Sequence, residues 1–187
     1  MSREPRPAAA AMLRRRSQSS VTEEAPGRKE LLRLIEAAGS VADHSALHPW
    51  RIIELRGKAR RRLGEALAEA EGGAGNAVEK QVRKARRAPL VLAIVFSPKP
   101  SRKVPDWEQE AVASGVAHAL SLVLDEAGWG VFWRTGLQTR SRPVHRAHRL
   151  EPQEELLGWL YVGGRGERQA RARKPIRAAR FLSRLTG

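Results

Sequence analysis

The sequence contains no cysteine, so disulfides, thiolate catalysis and cysteine-ligated metals are all excluded. Aromatic residues make up only 5% of the chain, with one tyrosine and three phenylalanines. That is a poor supply of stacking surfaces for single-stranded nucleic acid. Acidic residues are scarce beside basic ones, 20 against 35, which leaves a formal charge of +15. No apolar run approaches a bilayer span; the longest, Ala88 to Phe96, is far too short. No cleavable secretory leader is visible, because the apolar stretch at residues 7–13 is short and runs into arginines. No Gly-x-Gly-x-x-Gly follows the first predicted strand, and there is no phosphate-binding P-loop. A doubly wound dinucleotide-binding domain is therefore disfavoured. No internal repeats are present. These absences read as a cytoplasmic protein with no membrane segment.

What is present is a chain of 187 residues, 41% of them apolar, enough for one domain with a real core. The pI is about 11.5. Basic residues cluster at Arg56–Arg62, at Lys80–Arg87 and from Arg165 onward. Such a balance favours anionic partners without choosing among phosphates, nucleic acid and acidic surfaces. Abundant Ala, Arg and Gly also fits the background of a high-GC genome. No recognised DNA or RNA module accompanies the charge, so nucleic acid is disfavoured as a partner.

Periodicity predicts helices over residues 8–18, 28–38, 57–71, 77–87 and 106–127. Strands are predicted over 50–55, 89–96, 128–134 and 157–162. Short helices or turns are expected over 141–150 and 152–156. The middle of the long helix, Ala111 to Leu124, is apolar on nearly all sides, which suits a core or an interface. Residues 1–7 read as a flexible leader, 8–164 as the folded domain and 165–187 as a basic tail. The interleaving is compatible with a three-layer α+β domain.

Several short motifs carry chemistry. Arg15-Arg16-Ser17 closes the first predicted helix, and two guanidinium groups with a hydroxyl suit a phosphate. Asp43-His44 leads through a loop to His48 and Pro49-Trp50-Arg51. His44 and His48 as a metal pair would need converging geometry and further ligands, and Pro49 argues against it, so no metal is expected. Trp107-Glu108-Gln109-Glu110 opens the long helix, where acidic groups complement the helix dipole. Trp133-Arg134-Thr135-Gly136 ends a short strand and turns at glycine. Gly158-Trp159-Leu160-Tyr161-Val162-Gly163 forms the last predicted strand. No side-chain pair reads as a catalytic dyad, so any redox chemistry requires a bound cofactor.

In type and order, these motifs resemble the compact bacterial branch of the nitroreductase family. The resemblance covers about Met12 to Gly164 and excludes the basic tail. It implies a nitroreductase-like fold, a central, mainly antiparallel sheet flanked by helices. It also implies FMN as cofactor, NAD(P)H as reductant and a homodimer with FMN at the subunit interface. Arg15, Arg16 and Ser17 would hold the phosphate and ribityl end. His44 and His48 would reach flavin bound mainly by the other subunit; at the second position relatives carry Gln or Asn. Trp133, Arg134, Thr135 and Gly136 would lie along the isoalloxazine, with Thr135 replacing a serine. Val123, Leu124, Asp125, Glu126, Ala127 and Gly128 match a weaker nicotinamide-contacting stretch. Arg171, Arg173 and Lys174 are candidates for a late phosphate contact. The implied reaction is ping-pong hydride transfer from NAD(P)H to a small electron-poor acceptor: a nitroaromatic, a quinone or an activated alkene. The alternatives are a basic nucleic-acid-binding protein without redox activity, and an FMN-binding protein without turnover.

Overall fold

The computed structural model describes residues 7–166 and 176–185. The expected leader therefore lies outside the described residues except for Pro7, as do Arg171, Arg173 and Lys174 of the tail.

The centre is strand β3 (Leu90–Phe96), in which every residue is buried. Its alternate side chains feed two separate cores. Leu90, Leu92 and Ile94 join one cluster, and Val91, Ala93 and Val95 join the other. A strand covered on both faces needs an unbroken apolar run, which is what this sequence supplies. Each such side chain contributes about 1.5–3 kcal/mol on burial.

Strands β2 (Trp50–Leu55) and β5 (Glu155–Arg165) flank β3, both antiparallel to it. Strand β4 (Trp129–Arg134) pairs with β5 on its other edge, also antiparallel. The two-residue β1 (Val21–Thr22) pairs with Gly164 and Arg165 at the end of β5. Helices α2 (Arg28–Ala38) and α5 (Asp106–Glu126) cover one face. Helices α3 (Lys58–Ala70), α4 (Asn76–Ala85) and α6 (Arg142–His148) cover the other. The result is the expected three-layer α+β arrangement with an antiparallel sheet. Among the described residues no helix is long and apolar enough to cross a membrane.

Three local departures from expectation matter for the site. Helix α1 (Pro7–Arg14) stops short of Gln18, because Ser17 leaves it to bridge to Val131 of β4. Residues 152–156 are not helical: β5 begins at Glu155, which pairs with Phe96. A bulge interrupts the β3–β5 ladder, where Ile94 faces Gly158 but Val95 faces Leu156. Leu157 is the extra residue, and Leu156 and Trp159 consequently share one core face.

Among the described residues much of the positive charge is paired internally. Arg28 and Arg56 both reach Glu54, Arg61 reaches Glu65 and Glu79, and Arg146 reaches Glu69. The most enclosed pair is Arg51 with Glu154, whose carboxylate is buried and accepts Arg51 Nε–H at 2.7 Å and Nη2–H at 2.5 Å. These bonds hold the Glu154 carboxyl down from 4.5 to about 2. Burial likewise lowers the proton affinity of His148. Its ring donates Nδ1–H to the Val144 carbonyl at 2.8 Å and accepts Trp159 Nε1–H at 3.0 Å.

Candidate functional site

The end of β4 is fixed by the bulge beside it. Gly158 has φ +141°, and a Cβ there would lie 2.5 Å from the Arg134 carbonyl oxygen and 2.7 Å from Trp133 Nε1. Only glycine allows this approach. Trp133 and Arg134 are thus pressed against β5, and Thr135 leaves the sheet directly above it. The Trp133 Nε1–H is buried with no hydrogen-bond partner among the described residues. Its ring meets the edge of His118 on α5, with centroids 4.8 Å apart and planes at 76°. The Arg134 guanidinium lies over the Tyr161 ring, 5.6 Å from its centroid. Burial raises the Tyr161 phenol, and Arg134 partly offsets it. Gly136, at φ +150°, turns the chain into a 3-10 turn at Leu137–Arg140. Its carbonyl accepts the Thr139 hydroxyl at 2.8 Å.

Residues 15–18 run beside this segment. Ser17 bridges to Val131 in parallel fashion, and Gln18 N–H donates to the Val131 carbonyl at 2.8 Å. The two arginines differ. Arg16 caps the end of α1, donating to the carbonyls of Leu13, Arg14 (3.2 Å) and Arg15 (2.9 Å). Arg15 makes no side-chain hydrogen bond or ion pair with any described residue.

Two pockets open here. One, of about 410 Å³, is lined by Gln18, Ser19, Arg87, Phe132, Arg134 and Tyr161. The other, of about 450 Å³, lies among Lys84, Gln81, Arg134, Thr135, Gln138 and Tyr161. They meet at Arg134 and Tyr161. Arg15, Arg16 and Ser17 line neither pocket: Ser17 lies beside Val131 on β4, and it is Gln18 and Ser19 that reach the pocket of Arg134. Gln18 and Ser19 were not singled out from sequence; Arg87 entered only as the end of a basic cluster and Tyr161 only within the last strand motif. Only the adjacency of Gln18 and Ser19 to the arginines could have pointed to them.

The loop from Asp43 to His48 sits elsewhere. His44 Nδ1 lies 2.8 Å from Glu108 Oε1, in the first turn of α5. Trp133 contacts His118, ten residues further along α5, which is about 15 Å of helix rise. His48 N–H donates to Asp43 Oδ2 at 2.7 Å. Ser45, Ala46 and His48 are all left-handed, at φ 67°, 51° and 48°. Within one chain, His44 and His48 form a separate set from the Trp133–Gly136 group. Among the described residues no cluster of three or more His, Asp or Glu side chains could hold a metal.

The stretch Val123–Gly128 ends α5. Leu124 is fully buried in the core. Asp125 pairs with Arg165 at 3.3 Å and Glu126 with Arg14 at 2.8 Å. Ala127 and Gly128 are exposed.

The outer face of α5 presents Trp107, Ala111 and His118, all exposed, with Ser114 and Gly115 half-buried between them. The core-facing side of this helix is apolar and closed. Its open side is a stripe of small residues ending at the histidine that touches Trp133.

The model of the Nitroreductase family matches residues 12–164. The chain belongs to the Nitroreductase family. The Escherichia coli (strain K12) protein YdjA, provisionally named an NAD(P)H nitroreductase, is 33% identical over 156 residues, covering 81% of this chain and 85% of that protein. A crystal structure of a nitroreductase-like family protein from Bacillus cereus superimposes with a TM-score of 0.81 at 18% identity, covering both chains completely. The structure of a Bacteroides fragilis nitroreductase with bound FMN gives a TM-score of 0.76 at 14% identity, over 97% of this chain and all of the other. At these identities the structures speak to fold alone, and the fold agrees. The five-stranded sheet and its two helical layers are thus the nitroreductase scaffold. On its β4 edge Ser17 adjoins Val131, two residues before Trp133.

Proposed function

We propose that this nitroreductase-family chain is an FMN-dependent oxidoreductase that takes hydride from NAD(P)H and passes it to a small electron-poor acceptor. The acceptor class is a nitroaromatic, a quinone or an activated alkene. The observation that carries this reading is a pair of pockets that meet at Arg134 and Tyr161, one lined also by Thr135 and the other by Gln18 and Ser19, which follow Arg15–Ser17 along β4. The donor set suits FMN. The Arg15 guanidinium and the Ser17 hydroxyl offer charge-assisted and neutral bonds to a phosphate. Trp133 Nε1–H is a buried donor without a partner among the described residues. Both pockets are open clefts rather than enclosed cavities. That fits a site that a second subunit completes.

Arg15 and Ser17 would hold the phosphate end. The Arg134 and Thr135 segment, immobilised on the Gly158 bulge, would lie along the ring system. Arg134 would place positive charge where negative charge accumulates. Bound FMN supplies the two-electron chemistry, which no side chain here can supply. The protein orients both substrates in turn in one place and excludes water, which gives ping-pong kinetics. In a homodimer formed through the small-residue face of α5, His44 and His48 would complete the site of the opposite subunit. Val123–Gly128 would contribute to nicotinamide binding by backbone only, since its acidic side chains are paired.

The purified protein is expected to show flavin absorption that NADH or NADPH bleaches without oxygen and an added quinone restores. Double-reciprocal plots at several acceptor concentrations are expected to be parallel. Failure of the folded apoprotein to take up FMN in equilibrium dialysis would overturn the reading. Uptake without bleaching would leave an FMN-binding protein that does not turn over.

A further inference from the structure

The acidic motif at the start of α5 has a use beyond the helix dipole. Glu108 stands in the first turn, and its carboxylate lies 2.8 Å from His44 Nδ1. A carboxylate can only accept, so the ring hydrogen lies on Nδ1. In the neutral ring Nε2 then carries a lone pair. The loop that presents His44 is built around this contact. Asp43 clamps the backbone N–H of His48 at 2.7 Å, and Ala46 N–H reaches the Asp43 carbonyl at 3.0 Å. Three non-glycine residues in the loop hold left-handed backbone angles. Strain of this kind persists only where surrounding contacts impose it, and it collects at functional positions. His44 remains half-exposed, with 52% of its side chain open to solvent.

We propose that Glu108 is the positioning residue for His44, locking its ring so that Nε2 is presented as an acceptor to the flavin held by a second copy of the chain. This rests on the reading that His44 reaches that flavin. Glu108 touches neither flavin nor substrate. It selects the tautomer and the ring angle of the residue that does. Sequence alone could not pair the two groups, which are 64 positions apart.

The test uses Glu108→Gln, Glu108→Ala and His44→Ala in the full chain. Both Glu108 variants remove the same charge from the α5 N-terminus, but Gln retains an oxygen that can accept Nδ1–H. Glu108→Ala is expected to weaken FMN binding about tenfold in titrations of the apoprotein, in the range of other contacts that orient a ligating histidine. Glu108→Gln should restore most of that loss. In a His44→Ala background, Glu108→Ala should cost nothing further. Imidazole ¹⁵N spectra of the apoprotein should show His44 as the Nδ1–H tautomer in the parent and in Glu108→Gln, and a mixture in Glu108→Ala. Equal weakening by Gln and Ala, persistence of the loss without His44, or an Nε2–H tautomer in the parent would each overturn the role of Glu108. If His44→Ala itself leaves FMN affinity unchanged while the tautomer result holds, the failure lies with the placement of His44 at the flavin, and the proposal falls with it.

Discussion

The two halves of the site are held in opposite ways. Residues 133–136 are fixed by sheet geometry: a strand, a bulge and a glycine with no room for a Cβ. Residues 43–48 project from the body on an exposed loop, held by two side-chain contacts against left-handed backbone that costs about 1–2 kcal/mol per residue. One half is finished within the chain. The other is shaped in advance but faces outward, with nothing in its own chain to act on. In the proposed homodimer, a site divided in this way would be completed when two copies meet.

The sharpest way to break the first half is Gly158→Ala. Its Cβ would strike the Arg134 carbonyl at 2.5 Å, backbone that cannot step aside without tearing β4 from β5. The loss should be about 3–5 kcal/mol in urea unfolding, with FMN content falling in whatever protein still folds. A loss below about 1 kcal/mol would mean that the bulge does not set the register of the Trp133–Gly136 segment.

The second half is anchored downstream, where β2 leaves the loop. Arg51 there closes on the buried Glu154. Arg51→Ala strands that carboxylate and should cost about 2–3 kcal/mol, less than a fully enclosed pair because Arg51 is partly open to solvent. The same pair gives an acid signature. Glu154 is lowered to about 2 in the fold, from 4.5. Its contribution is therefore complete above about pH 4.5 and disappears as pH falls toward 2. Thermal melts across that window should show a steeper decline for the parent than for Arg51→Ala.

The two halves also predict unequal arginines. Arg15 has no side-chain partner among the described residues, whereas Arg16 is engaged with the carbonyls of Leu13, Arg14 and Arg15. Arg15→Ala should weaken FMN binding by about 10- to 100-fold, the worth of one charge-assisted bond. Arg16→Ala should weaken it less and should instead loosen α1. Fluorescence titration of FMN against each apoprotein measures the difference. A reversed order would show that Arg16 abandons its cap when the ligand arrives.

Much of this was readable in the sequence where the signal is local. The apolar run at 90–96 and the long helix at 106–126 were evident from composition and period, and the motif order carried the family. The rest depends on partners that are distant in sequence. Two residues, Val21 and Thr22, are too few to show a strand pattern. Helix α1 ends early because Val131 captures Ser17. Residues 152–156 look like a turn until Arg51 and Phe96 are known to meet Glu154 and Glu155. The bulge at Leu157 is a property of the β3–β5 register rather than of either strand. Of the proposed site, the sequence supplied the candidate segments without showing that Arg16 is engaged with the carbonyls of α1, or that Glu108 lies against His44.

The smallest expected effect tests whether the strain in the outward half is purposeful. Ser45 holds φ 67°, where glycine sits freely. Ser45→Gly relieves about 1–2 kcal/mol of backbone strain but restores unfolded-chain entropy worth about 0.4–1 kcal/mol. The net should be a gain of roughly 0.5 kcal/mol in urea unfolding. If the loop serves to present His44 at a set angle, the more stable variant should bind FMN slightly less well, because glycine also admits other loop conformations. A gain in stability with unchanged or tighter FMN binding would mean that the left-handed backbone is tolerated in the loop rather than used there.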